Sequence, residues 1–204
     1  MNKLTIIFKS LIIFSLIVSG IDGNAQNQYL LNVQKSDLII TGTSTLHNWH
    51  MDTDIFDCVV KALNEKNKLI LQMVNFSCNS TSLKSENSLM DKKAWEALKA
   101  TDYKIIQFES NEPIEFTIQD KKVDGTIKGE LVLSGVKRKI TIPFKGEVDE
   151  LGNIKLTGKV NVKMSEYGIE APTAFMGTIK TGDEITILYD FSFNQSNMIS
   201  ASGK

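Results

Sequence analysis

A period of two runs through this chain. Ile140, Ile142 and Phe144 form one apolar row in KITIPF, and Ile154, Leu156, Val160, Val162 and Met164 form a second. Ile185, Ile187, Tyr189, Phe191 and Phe193 form a third. Successive side chains of an extended chain point to opposite faces, so each row marks a strand buried on one side. The same reading predicts strands over 29–33, 38–43, 49–63, 68–76, 105–109, 114–119 and 126–133. Turn chemistry at Asp124-Gly125, Ser134-Gly135 and Gly152-Asn153 punctuates them. One segment breaks the rule: in LMDKKAWEALKA, Leu89, Lys93, Ala94, Ala97 and Leu98 recur at helical spacing, with Asp91 placed to cap the first turn.

So many strands in one chain would leave exposed edges unless the sheet closed on itself. Gly129, Gly146 and Gly158 fall inside strand patterns, where glycine permits the coiling and bulges that closure demands. The expected fold is therefore all-β: an extended antiparallel barrel of about eight strands, with one short helix in an insertion. No internal repeat or proline-rich linker divides the 204 residues. A chain of this length makes one domain with a sizeable core.

The N-terminus reads as an address. Lys3 and Lys9 flank or precede the apolar run Leu11 to Val18, and Gly23 and Ala25 place small residues before Gln26. The run is shorter than the ~20 residues needed to span a bilayer, so a cleaved secretory signal over 1–25 is expected rather than a stable membrane anchor. Cleavage removes two lysines and one aspartate, leaving a net charge of −2 on 179 residues. The barrel domain is then expected over 26–194, with a polar, flexible tail over 195–204. With 23 basic and 24 acidic residues and no basic stripe, nothing in the charge pattern calls for nucleic acid.

An oxidising compartment permits a disulfide between Cys58 and Cys78. A hairpin turning around 64–67, however, sets Cys58 opposite residues near Met73, which favours two separately buried thiols. His47 and His50 sit three apart on an extended chain, so their rings point to opposite faces and no shared metal is expected. GTSTL around Ser44 lacks the GxSxG elbow, and no phosphate-binding glycine loop occurs. Neither a catalytic set nor a cofactor is expected; an envelope hydrolase would need His47, a serine and a carboxylate within hydrogen-bond reach of one another.

GTSTLHNW (42–49), SLKSENSLMDKKAWEALKA (82–100), GELVLSGVKRKITIPFKGEV (129–148) and APTAFMGTIKTGDEITI (171–187) together resemble the YceI-like family of exported polyisoprenoid- or lipid-binding proteins. The first and last of these look like the forms found in its Bacteroidetes branch. One departure is that family members commonly carry proline after the tyrosine at Tyr103, where this chain has Lys104. The resemblance implies a lipocalin-like barrel whose lumen takes a long isoprenoid or fatty-acyl lipid in the periplasm, without covalent chemistry. Period two then nominates the wall: Trp49, Ile55, Leu71, Leu131, Leu133, Ile140, Ile142, Phe144, Val160, Val162, Ile187 and Phe191. The helix from Asp91 and the Phe175-Met176 loop are expected to border the mouth, where flexible Met176 suits a variable tail. A barrel of eight strands can be hollow or filled by its own side chains. The filled version would leave an interaction domain for another envelope protein, and a homodimer is open in either case.

Overall fold

The computed structural model describes residues 27–65 and 67–197. The leader expected over 1–25 and the chain beyond Asn197 lie outside the described residues. In chain order the elements are β1 (Asn27–Leu31), β2 (Asp37–Ser44), β3 (Trp49–Thr53), β4 (Phe56–Glu65), β5 (Lys68–Asn79), α1 (Ser88–Ala97) and β6 (Ile105–Ser110). They continue with β7 (Ile114–Thr117), β8 (Lys122–Leu133), β9 (Val136–Val148), β10 (Ile154–Lys163), β11 (Thr173–Ala174) and β12 (Ile179–Asn197).

The strands β1, β4, β5, β6, β8, β9, β10 and β12 form a closed antiparallel ring, completed where β12 pairs with β1 from Asn27↔Asn197 to Leu31↔Phe193. This is the eight-stranded barrel that the alternation implied. The seam is β12, whose 19 residues carry β1 along the C-terminal part and β2 along the N-terminal part. It continues to Asn197, past the point where the polar tail was expected to begin. The turns at 65–68 and 149–153 lie at one end of the barrel, here the lower. α1, the β2–β3 tip and the β11–β12 hairpin lie at the upper end.

Several local expectations change. The stretch 49–63 is two strands, broken at Asp54-Ile55, where the Ile55 amide donates to Thr53 Oγ1 at 3.0 Å. Asp124-Gly125 is no turn but lies inside β8, opposite Lys145 and Phe144. The chain turns instead at Asp120 and Lys121, both at positive φ. Gly129, Gly146 and Gly158 make no bulges, because the register runs unbroken through Gly129↔Ile140, Gly146↔Leu156 and Gly158↔Tyr189. They make room for neighbours: a Cβ at Gly158 would lie 2.2 Å from the Tyr189 hydroxyl oxygen, which donates to the Pro143 carbonyl at 2.5 Å.

α1 starts at Ser88, and its cap is Asn87, whose side chain accepts from the amides of Leu89 and Met90 at 2.9 and 3.2 Å. Asp91 instead reaches back as a buried carboxylate, accepting from the amide and hydroxyl of Ser85 at 2.7 Å each. At Tyr103-Lys104 the chain leading into β6 is held by Ser80. Its hydroxyl donates to the Tyr103 carbonyl and its amide to the Lys104 carbonyl, both at 2.8 Å.

The hairpin register also differs from the expected one. The β4–β5 turn falls between Glu65 and Lys68, and a bulge at Lys61/Ala62 adds one more residue of offset. Cys58 therefore faces Phe76, and Cys78 faces Phe56. The two cysteines are diagonal neighbours, at the ~7–8 Å typical of such pairs and beyond the reach of an unstrained disulfide. Both are buried free thiols.

Candidate functional site

The lower half of the barrel is solid. Tyr29, Ala62, Leu69 and Val123 are shut off from solvent, and Phe116 meets Phe144 edge to face at 4.9 Å. The upper half behaves differently. Ile40, Ile140, Ile142, Leu156, Val160, Ile185 and Ile187 all point inward, yet each is only half-buried. Their remaining exposure is to an internal space, a cavity of about 270 Å³ whose wall includes every one of them.

A ring of aromatic residues forms part of this wall. Phe191 stacks on Phe76 at 6.1 Å and lies 5.4 Å from Tyr189 and 6.3 Å from Phe193, and all four line the space. Phe56 backs the group, 5.3 Å from Phe191. Burial pushes the Tyr189 hydroxyl's pKa up, which favours the neutral form that donates to the Pro143 carbonyl. Both thiols also face the cavity, and burial pushes Cys58 up to about 12. Burial raises Cys78 too, against the lowering effect of its contact with Ser82. A thiol held neutral is a small apolar wall residue and a poor nucleophile.

α1 covers the cavity. Met90, Ala94, Ala97 and Leu98 face it with small or flexible apolar groups, and Lys93 joins them. The Lys93 ammonium is directed outward to Glu96 at 3.3 Å. The lid is pinned by the Asp91–Ser85 bonds, by Trp95 Nε1 donating to the Leu83 carbonyl at 3.0 Å, and by the Lys84 ammonium over the Trp95 ring at 3.9 Å. Ile169, Pro172 and Thr181 complete the upper rim.

Trp49, Leu71, Leu131, Leu133, Ile140, Ile142, Phe144, Val160, Ile187 and Phe191 stand on the cavity wall. Three nominated residues do not. Val162 is inward but closed into the core without reaching the cavity. Ile55 is 63% exposed, because the break after β3 flips the parity: Trp49 and Met51 point inward, then Phe56, Cys58 and Val60 do. Met176 is fully exposed at the tip of the β11–β12 hairpin and touches no part of the wall. Sequence reasoning missed Leu38, Ile40 and Met51 on β2 and β3. The helix expected at the border of a mouth does line the cavity, through Met90, Ala94, Ala97 and Leu98.

Groups with reactive chemistry are spent elsewhere. Ser44 donates to the His47 carbonyl at 2.8 Å and accepts from the amides of Leu46 and His47, which closes its own turn. His47 turns its Nδ1 to the Asn48 carbonyl at 2.7 Å, and His50 stands exposed on β3. Among the described residues no group of three or more His, Cys, Asp or Glu could hold a metal ion. No helix among them is long and apolar enough to cross a membrane. The arrangement can enclose an apolar body.

A search of curated proteins finds no match to this chain. Among solved structures, Burkholderia cenocepacia BcnA superposes with a TM-score of 0.62 at 13% identity, covering 79% of this chain and 98% of that one. A polyisoprenoid-binding domain from Saccharophagus degradans, implicated in plant cell wall breakdown, superposes with a TM-score of 0.61 at 9% identity, covering 82% and 98%. At such identities the likeness is one of fold. The family model described as the YceI-like domain matches residues 29–193, nearly the whole described barrel, and this chain therefore belongs to the YceI-like family.

Proposed function

We propose that this protein binds one long-chain lipid, an isoprenoid or a fatty-acyl chain, in the upper half of its barrel and holds it without covalent chemistry. The observation that carries the reading is the set of inward, half-buried aliphatic residues around an empty space beneath a helical lid. Residues that fold inward and still fail to fill their barrel leave wall surface that gains by covering. The likeness in fold to a polyisoprenoid-binding domain supports the same reading. So does the family.

The magnitudes agree. A methylene takes about the volume of a water molecule, ~30 Å³, so a cavity of about 270 Å³ accepts roughly nine chain carbons. At ~0.8 kcal/mol per buried methylene, these supply roughly 7 kcal/mol before ordering costs, close to the ~8 kcal/mol of micromolar binding. A longer chain would extend past the lid. The signal-like sequence over 1–25 supports a periplasmic setting for this activity, where a carrier or sequestering protein would keep an insoluble chain out of water.

The test is titration with a fluorescent polyene fatty acid, comparing the protein with Ile142→Glu, which sets a carboxylate on the wall, and Val160→Trp, which fills the space. The expected result is one-to-one micromolar binding, lost at least tenfold in both variants while circular dichroism is unchanged. Equal binding by all three proteins would place the ligand outside the lumen, and no binding by the unmodified protein would end the proposal.

A further inference from the structure

We infer that the upper tip of the barrel is a membrane-docking surface, at which Leu46, Phe175 and Met176 enter a bilayer and bring the lumen's mouth onto it. The inference rests on the lipid-binding reading for its purpose, but it stands on different residues. Leu46 is 66% exposed at the β2–β3 tip, Phe175 is 74% exposed, and Met176 is fully exposed at the β11–β12 tip. These tips form one unit. Thr45 donates its amide to the Lys180 carbonyl at 2.9 Å and its hydroxyl to the Thr178 carbonyl at 3.4 Å, and accepts from the Lys180 amide at 3.2 Å.

The backbone holds the apolar side chains outward at a cost. Phe175 and Met176 are both left-handed, at φ 49° and 56°, followed by Gly177 at 85°. They are the central pair of a turn closed by the Gly177 amide donating to the Ala174 carbonyl at 3.1 Å, and a turn with both central residues left-handed is ordinarily built from Asn and Gly. Two large side chains with a Cβ are held there against their preference, and such strain concentrates where a segment has a task. The hairpin directly follows Pro172 and precedes Thr181, both on the cavity rim, so whatever the tip enters also lies against the mouth.

Charge and area together favour a membrane over a protein as the occupant. The segments 43–50 and 171–181 contain no Asp or Glu, and Lys180 is their one Lys or Arg, in a protein whose net charge is −1. Apolar tips with a lysine beside them and no carboxylate among them suit the interface of an anionic bilayer. Three projecting side chains fall far short of the ~800 Å² per partner that a stable protein interface buries. Each side chain fully taken into an apolar phase is worth about tenfold or more in partition.

The test uses Phe175→Trp, with Leu151→Trp as its counterpart. Leu151 is 80% exposed in the turn before β10, at the lower end of the barrel. Each is mixed with vesicles of phosphatidylethanolamine and phosphatidylglycerol carrying brominated acyl chains, and the native Trp49 and Trp95 signal is subtracted using the unmodified protein. The expected result is a blue shift and quenching at 175 only, with vesicle partition falling at least tenfold in Leu46→Ser/Phe175→Ser while circular dichroism stays unchanged. Absence of quenching at 175, equal quenching at 151, or a blue shift without vesicles that grows with protein concentration would overturn the inference, the last by showing a second copy on the tip. Failure of the lumen proposal is read separately, in the fatty-acid titration.

Discussion

Cys58 and Cys78 show how much a single register decides. One bulge and a turn shifted along the chain set them diagonally, where they stay reduced and neutral on the cavity wall. Burial raises Cys58 to about 12, against an ordinary value near 9. In the unfolded chain this thiol loses its proton as pH passes about 9, whereas in the folded chain it keeps it. Its contribution to stability is therefore complete below pH 9 and declines as pH climbs toward 12. Urea midpoints measured from pH 8 to 11 are expected to fall less steeply in Cys58→Ala than in the unmodified protein, and identical slopes would contradict the burial argument. An aromatic disulfide reagent at pH 8 should likewise react with the unfolded chain far faster than with the folded one. At this scale the sequence was readable wherever parity held, as at Ile140 and Ile142. It misled at Ile55, where two residues outside the ladder reversed the faces.

The elements were legible in proportion to their regularity. Strands with an unbroken row, such as β9 and β10, lie where alternation put them, and Ser134-Gly135 makes its turn with both residues at positive φ. Asp124-Gly125 has the composition of a turn, but the Phe116 ring lies where a side chain at Gly125 would stand, so this glycine serves a close approach inside β8. A long-range contact of that kind has no local signature. The same holds for α1, whose stripe was visible but whose attachment was not. Replacing Asp91 by alanine removes two charge-assisted hydrogen bonds to Ser85, at a cost of about 2–3 kcal/mol. Hydrogen exchange is expected to quicken over 84–98 with the barrel strands still protected, and ligand dissociation should speed up. Uniform loss of protection would make Asp91 a general stabiliser and not a lid fastener.

Across the whole molecule, closure and hollowness are separate properties. Closure follows from many strands, few edges and one apolar face per strand, all of which a sequence displays. Hollowness depends on whether side-chain volumes from eight strands sum to the interior volume, and that sum differs between the two ends. Below, aromatic and branched residues close the interior around Tyr29 and Val123. Above, the wall is largely Ile, Val and Leu, with Ala94 and Ala97 on the lid, and it leaves a cavity open. The mouth, the lid and the apolar tip all lie at this upper end. The most direct measurement is a crystal structure of the protein purified without detergent or added lipid. Continuous elongated density running from the Phe76–Phe191 pair to the underside of α1 is the expected result. An upper half collapsed onto its own side chains, with no density between Ile142 and Ala97, would contradict it.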